Sequence, residues 1–491
     1  MRTVTRKTHA GFDIESLLDP VPTPARRRFA LIAVAALLAT VTNAVLFMLP
    51  PLLPLMKDQL GLDSASETWI FTALTLGGGA GFILLPRLAD VLSDRPTAVL
   101  AGGVLTLGAL IPAVVYTYPA VLAGAALLGF GSSAQLLPLG FLRRHLSGGR
   151  VSTAVSVLIM ATGGGVVAGM LGGGLTVRFL SVPTFFFIMA AVFVATTVAL
   201  VLAVPRADPE SAGAPGVFGT LWMIAWLTAI LLTLTQGLLW GDAVLIPLVL
   251  GLAGYFTWRR FERRSAAPVF DLAILKMPYA KVACWAAGLF GAIDAGFLLS
   301  VTYYTQADPA QTGYGLGYDA FGTGLLMLPF ALTMFISGKA AEQRVAKGRP
   351  GVVLLAGAAV SAVGVAVLTV DHRHIWAYLI GAGLIGLGSR AGYSGAFAVP
   401  QFLVPERKAG MAAGLVGTCM AIGIAFGSAL VSALLLASPD PVTGQAPEAA
   451  YVDSYVCTLA CALAVLVIVL VAHRRSHKAF VAVLRQTGVL T

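Results

Sequence analysis

Charge is what this sequence has least of. Only 11% of its 491 residues are Asp, Glu, Lys or Arg, against 58% hydrophobic. A soluble chain of this length needs a polar surface for two or three domains, and this composition does not supply one. Cysteine is scarce as well: Cys284, Cys419, Cys457 and Cys461 are the four present, each inside an apolar run. There they read as packing residues rather than a disulfide framework. Cys457 and Cys461 share a helix face but lack a third thiol or a nearby histidine, so no metal site is expected. Catalytic signatures are missing: there is no GxxxxGK(S/T) phosphate loop, no HExxH, and no GxSxG at a strand-to-helix turn. ATP-driven pumping, zinc-peptidase and serine-hydrolase chemistry find no support, and neither enzyme activity nor a cofactor is expected. A cleavable signal is not expected either, because the first 28 residues are polar up to the triple arginine Arg26 to Arg28.

What is present is apolar length. Mean hydropathy is +0.88, and runs of 18 or more mostly apolar residues recur, each able to cross a bilayer as a helix. The runs predict spans at 29–50, 66–86, 97–117, 119–141, 151–177 and 181–204, then a pair at 217–239 and 242–258. Six more follow at 281–305, 318–340, 351–370, 375–403, 409–437 and 452–472. The expected fold is an all-α polytopic membrane protein with 14 transmembrane helices, divided six, two and six. Residues 1–28 read as a tail, in which Phe12 to Leu18 suits a short interfacial helix, and 29–204 as the first six-helix bundle. The polar stretch 205–216 (PRADPESAGAPG) reads as a linker, 217–258 as two inserted helices, 259–280 as a basic loop opening RRFERR, 281–473 as the second bundle and 474–491 as a tail. By this parsing 28 of 32 Lys and Arg residues fall on one side, three (Lys57, Arg178, Arg373) on the other, and Arg390 within a span. That asymmetry predicts both termini in the cytoplasm, and it explains the net charge of +10 without nucleic acid.

Two charges resist this layout. Arg390 lies in Ile380 to Phe397 (IGAGLIGLGSRAGYSGAF), fifteen residues from either end of the apolar stretch that begins at Ile375 and gives way to Pro405. At about 1.5 Å per residue this is mid-membrane, where an uncompensated guanidinium costs at least ~2.5 kcal/mol. Asp294, in IDAGF, sits thirteen residues into another run and is the best available partner. The pair is read as marking a transport cavity whose carboxylate alternates between ion-paired and protonated states. Two other readings stand beside it: a permanent ion pair joining two helices, and an Arg390 that receives an anionic substrate group directly.

The two sets of six are related. GFGSSAQ (129–135) in the fourth span corresponds to GLGSRAG (386–392) in the fourth of the second set, and Asn43 in the first span to Asp294. Arg95-Pro96 and Arg349-Pro350 close equivalent loops. Paired helical bundles with a site between them are a transporter architecture. Further motifs then carry a resemblance to a known family. TWIFTALTL (68–76) resembles a tryptophan-containing motif, and LPRLADVLSDRP (85–96) resembles a second-to-third-loop motif with Leu88, Ala89, Asp90 and Arg95 matching. There Val91 and Ser93 stand in place of an arginine and a glycine. GVVAGMLGGG (165–174) resembles an antiporter motif through Gly165, Gly169, Gly173 and Gly174, with Met170 where a proline is usual. On these motifs the chain resembles the major facilitator superfamily, specifically its fourteen-span drug:proton antiporter branch.

The resemblance implies a secondary transporter, with small-molecule substrate, protons and the bilayer as partners, monomeric in the cell membrane. It implies efflux of amphipathic drugs or secondary metabolites, with Asp90 and Arg95 in a gating loop. Departures are concentrated in the first bundle: Ala125 and Leu128 occupy the fourth-span positions of the family's arginine and glutamine, and the first-span aspartate is absent. Coupling is therefore assigned to Asp294 and Arg390, with Asn43, Gln135, Tyr393 and Tyr303 expected to line the cavity. Trp285, Phe290, Phe297, Tyr304 and Phe330 offer aromatic lining for amphipathic or cationic ligands. Glu67, Asp242 and Asp319 are read as solvated carboxylates at outer span ends. Trp69, Trp240 and Trp376 are read as belt residues, and His372 and His374 as a metal pair too sparse to count. A lipid or organic-anion transporter, an uncoupled facilitator, and a non-transporting receptor or scaffold remain open at this point.

Overall fold

The computed structural model describes residues 25–138, 142, 149–204, 217–236, 240–265, 277–347, 349–403, 409–437 and 445–486. Among these no strand occurs. The first set of helices is α1 (Ala25–Leu60), α2 (Ser64–Leu92), α3 (Asp94–Val114), α4 (Tyr118–Ser132), α5 (Gly149–Phe179) and α6 (Val182–Ala203). A helical pair follows, α7 (Val217–Gln236) and α8 (Leu245–Glu262). The last set is α9 (Pro278–Gln306), α10 (Ala320–Ala346), α11 (Pro350–Val370), α12 (Ile375–Leu403), α13 (Ala409–Leu436) and α14 (Glu448–Gln486). Nine helical stretches among the described residues are long and apolar enough to cross a membrane, and shorter apolar helices occur at Trp69–Leu85, Met160–Leu175 and Phe218–Ile230. This is a multi-pass membrane architecture.

Tight polar caps reverse the chain between helices. Gly61 takes a left-handed φ of 61° after α1, and Asp63 then caps α2 by accepting the Ser66 N–H at 2.8 Å. Asp319 caps α10 in the same way through Gly322 N–H at 2.7 Å. Several boundaries differ from the hydropathy reading; α4, for example, ends at Ser132 in a 3-10 turn where the span is read to 141. α1 continues through Pro50, Pro51 and Pro54, α14 runs into the segment read as a tail, and α8 carries the first four residues of RRFERR as helix. At α8 and α14 the apolar run ends in basic residues while the helical hydrogen bonds continue; at α1 the residues past 50 (PLLPLM) are themselves apolar and buried in part. Phe12 to Leu18 and the linker 205–216 lie outside the described residues.

Packing repeats between the two sets. In the first, α1 lies on α5 and α6, α2 on α4, and α3 on α4 and α6; in the second, α9 lies on α13 and α14, α10 on α12, and α11 on α12 and α14. The sets join by α5 against α10 and α2 against α13, while α7 packs on α8 and reaches both α2 and α13. The repeated motif occupies equivalent places. Gly129 lies against the Leu74 carbonyl of α2 and Gly386 against the Phe330 carbonyl of α10, while Gly131 faces α3 and Gly388 faces α11. Along α5, Gly165, Gly169 and Gly173 sit over the carbonyls of Thr40, Ala44 and Met48 on α1, and Gly174 meets Phe321 of α10. A side chain on any of the four would collide with backbone, so the glycine row sets how closely these helices approach.

Candidate functional site

Asp294 lies mid-way along α9 and is 5% exposed. Ser389 Oγ donates to its Oδ1 at 2.6 Å and Tyr393 Oη to its Oδ2 at 2.9 Å. Ser389 and Tyr393 are one turn apart on α12, so both hydroxyls project from one face toward α9. Hydrogen bonds to a charged acceptor are worth about 1.5–3 kcal/mol each, enough to offset much of the burial cost of one carboxylate. Rings close the site along α9. Phe290, one turn before Asp294, packs on Tyr393 at 5.8 Å between centroids and covers Gly392. Phe297, on the other side, packs on Phe330 of α10 at 5.2 Å, and Phe330 meets Phe47 of α1 at 6.2 Å. The aromatic layer thus runs from the carboxylate of the second set into the first.

The ion pair expected with Arg390 is not the contact found at Asp294. Arg390 is half-buried on α12 and its guanidinium is not among the donors to the carboxylate; neutral hydroxyls are. The reason is helical azimuth. Ser389 and Tyr393 are four apart and share the α9-facing side, whereas Arg390 is rotated about 100° from Ser389. Ser389 was not singled out by sequence, although its spacing from Tyr393 was the available signal.

The remaining expected residues are dispersed. Asn43 is buried on α1, where Nδ2 donates to the Ala39 carbonyl of its own helix at 2.8 Å, and Thr40 reaches the Ala161 carbonyl of α5 at 3.1 Å. Gln135 is half-buried in the short 3-10 turn Ser133–Leu136 after α4, beside Ser133, which donates to Gly78 of α2 at 2.8 Å. Tyr303 is half-buried toward the far end of α9. Glu67 is a correction: it is 2% exposed, not solvated, with Lys57 Nζ 3.6 Å from its Oε2. Trp285 is a second correction, being 67% exposed and directed away from the aromatic layer that Phe290, Phe297 and Phe330 form.

At the same far end, Tyr304 and His372 belong to a closed ring cluster with Tyr314, Tyr378, Tyr451 and Tyr455. Glu448 ties it together. It accepts from Arg373 at 2.9 and 2.7 Å and from Tyr304 at 3.1 Å, and lies 3.2 Å from His372 Nε2. The Arg373 guanidinium holds the Glu448 carboxyl below the usual carboxylate range. His372 is therefore a structural group of this cluster, while His374 pairs with Asp371 at 2.9 Å. In the first turn of α3, Arg95 is half-buried and follows Asp94, which is buried. Asp90 lies on α2 in the same region, its side chain outside the described set. Ser93 has φ 75° and ψ 168°, a backbone state that glycine adopts readily and other residues seldom.

Comparison with known proteins agrees with this architecture. The Major Facilitator Superfamily pattern matches residues 33–428 and, in a second alignment, 295–484. The chain is 29% identical over 402 residues to the cephamycin export protein CmcT of Amycolatopsis lactamdurans, covering 77% of this chain and 79% of that protein. It is 27% identical to the puromycin resistance protein pur8 of Streptomyces alboniger, covering 85% and 84%. Against an uncharacterized MFS-type transporter of Mycobacterium tuberculosis it is 26% identical, covering 87% of this chain but 62% of that protein's length. Among solved structures, the human organic anion transporter MFSD10 (TETRAN) superposes with a TM-score of 0.60 at 14% identity over 90% of this chain and 100% of that one. A POT family peptide transporter gives 0.62 at 17% identity over 89% and 96%. With its paired sets of helices and a family match across most of its length, this chain belongs to the Major Facilitator Superfamily.

Proposed function

We propose that the protein is a fourteen-span secondary transporter that exports amphipathic small molecules, drugs or secondary metabolites, in exchange for protons carried by Asp294. It acts as a monomer in the plasma membrane with both termini in the cytoplasm. The observation that carries this is the buried carboxylate held by two hydroxyls. A guanidinium partner would fix Asp294 in its charged form, whereas a serine and a tyrosine hydroxyl donate to the anion, and a hydroxyl can also accept from the acid by rotating. Both protonation states therefore find partners, which a carrier requires. The neighbouring rings suit an amphipathic substrate. The repeated packing of α1–α6 and α9–α14, with α7 and α8 outside it, supports the two-bundle reading, and the names of the export and resistance relatives support efflux. Expression in a drug-susceptible bacterium tests it: cells should accumulate less of at least one lipophilic compound than vector controls, and collapsing the proton gradient should abolish the difference. Equal accumulation across a broad panel would count against export.

A second reading is a facilitator without proton coupling. Asn43 favours it: the position that the repeat equates with Asp294 holds an amide, which carries no proton and bonds to the Ala39 carbonyl of its own helix. Under that reading export continues when the gradient is collapsed.

A further inference from the structure

The inserted pair carries a feature that the transport reading does not use. Arg259, Arg260, Arg263 and Arg264 line a cavity of roughly 460 Å³ together with Phe256. The spacing of i, i+1, i+4 and i+5 places four guanidiniums on one side of a single helical end. The backbone holds that turn past the end of α8, with Arg263 N–H bonded to the Arg259 carbonyl at 3.3 Å and Arg264 N–H to the Phe261 carbonyl at 3.0 Å. The only carboxylate within the segment is Glu262, which is buried. Cations at a helix C-terminus are favoured by its free carbonyls, so the cluster is stable there, and within residues 256–264 four guanidiniums stand against one carboxylate.

The approach to the cluster is apolar. Leu245, Ile246, Val249, Leu250, Leu252 and Phe256 are all exposed along α8. The apolar face ends at the arginines, with Phe256 belonging to both. A molecule that fits has hydrocarbon along α8 and a phosphate at the guanidinium forks, which match phosphate oxygens two at a time.

We infer that this is a binding site for the headgroup of an anionic glycerophospholipid. Continuity of the apolar face with the arginines selects a lipid over free phosphate. The location gives the site a consequence, since α7 packs on α8 and touches both α2 and α13. These two helices form one of the seams between the sets, so a lipid held on α8 braces a surface that moves if the sets rock against each other.

The test uses purified full-length protein in neutral detergent, with fluorescently labelled phosphatidylglycerol and equally labelled phosphatidylcholine as probes. The expected result is phosphatidylglycerol binding at least tenfold tighter than phosphatidylcholine, displaced by unlabelled phosphatidylglycerol and not by millimolar glycerol 1-phosphate. The variant R259Q/R260Q/R263Q/R264Q should bind the two lipids alike. Equal binding of both lipids to the wild type overturns the proposal without any variant. So does displacement by glycerol 1-phosphate as effective as by the lipid, which would reveal a plain phosphate site. Wild-type preference in a folded quadruple variant would place lipid selectivity elsewhere and overturn it too.

Discussion

The glycine row of α5 offers an internal experiment, because neighbouring glycines on the same helix have opposite surroundings. A Cβ placed on Gly169 would run into the Ala44 carbonyl oxygen of α1 and lie 3.0 Å from the Ala44 Cα, backbone atoms that cannot rotate away. A Cβ on Gly164, five residues earlier, meets nothing within 4 Å. Gly169→Ala must therefore push α1 and α5 apart along their whole contact, an overpacking cost of about 1–3 kcal/mol. Gly164→Ala only removes a flexible residue from a helix interior, a gain of roughly 0.5–1 kcal/mol. The two substitutions are chemically identical, so the difference between them, about 1.5–4 kcal/mol, reports the interface. Thermal unfolding of the purified variants in one detergent should rank Gly164→Ala at or above wild type and Gly169→Ala clearly below. Gly173→Ala, whose Cβ would stand 2.6 Å from the Met48 carbonyl oxygen, should fall with Gly169→Ala. If Gly169→Ala melts with Gly164→Ala, the close approach of α1 and α5 is not what these glycines are for.

Two further outcomes follow from local geometry. Ser93→Gly should stabilise the protein by about 1 kcal/mol, since a non-glycine residue in this backbone state costs about 1–3 kcal/mol and glycine's looser unfolded chain returns part of the gain; an unfolding midpoint lower than wild type would contradict the strain. At the far end, Glu448 is held below its ordinary value by Arg373, so its contribution is complete above the ordinary carboxylate range near pH 4.3 and is lost as pH falls through the lowered value. The stability gap between wild type and Arg373→Ala should thus be present at pH 7 and close under acid; a gap that stays constant down to pH 3 would show that Glu448 is not the group responsible.

How far the sequence reached depends on which coordinate is asked for. Depth along a helix was legible. The mostly apolar stretch from Ile375 predicted 375–403, and the helix found there is Ile375–Leu403. The lone carboxylate in IDAGF was likewise recognisable as buried. Azimuth was not legible. Arg390 and Ser389 are adjacent in sequence, and only the packing of α12 on α9 decides that the serine meets Asp294. Glu67 and Trp285 were misjudged for the same reason, because a position near a helix end does not tell whether the side chain faces another helix or the outside. The first span, read as 29–50, is longer: the helix continues through Pro50, Pro51 and Pro54 to Leu60. The equivalence of GFGSSAQ and GLGSRAG, by contrast, was visible early because close helix contact leaves few residues besides glycine that fit.

The most direct measurement of the central claim is proton movement caused by substrate in sealed proteoliposomes containing a pH-sensitive dye, comparing wild type with Asp294→Asn. Asparagine keeps the shape and can still bond to Ser389 and Tyr393, but it cannot carry a proton. Wild type should move protons when a transported compound is added, and Asp294→Asn should bind that compound yet move none. Proton flux in folded Asp294→Asn equal to wild type would show that the carrier is some other group.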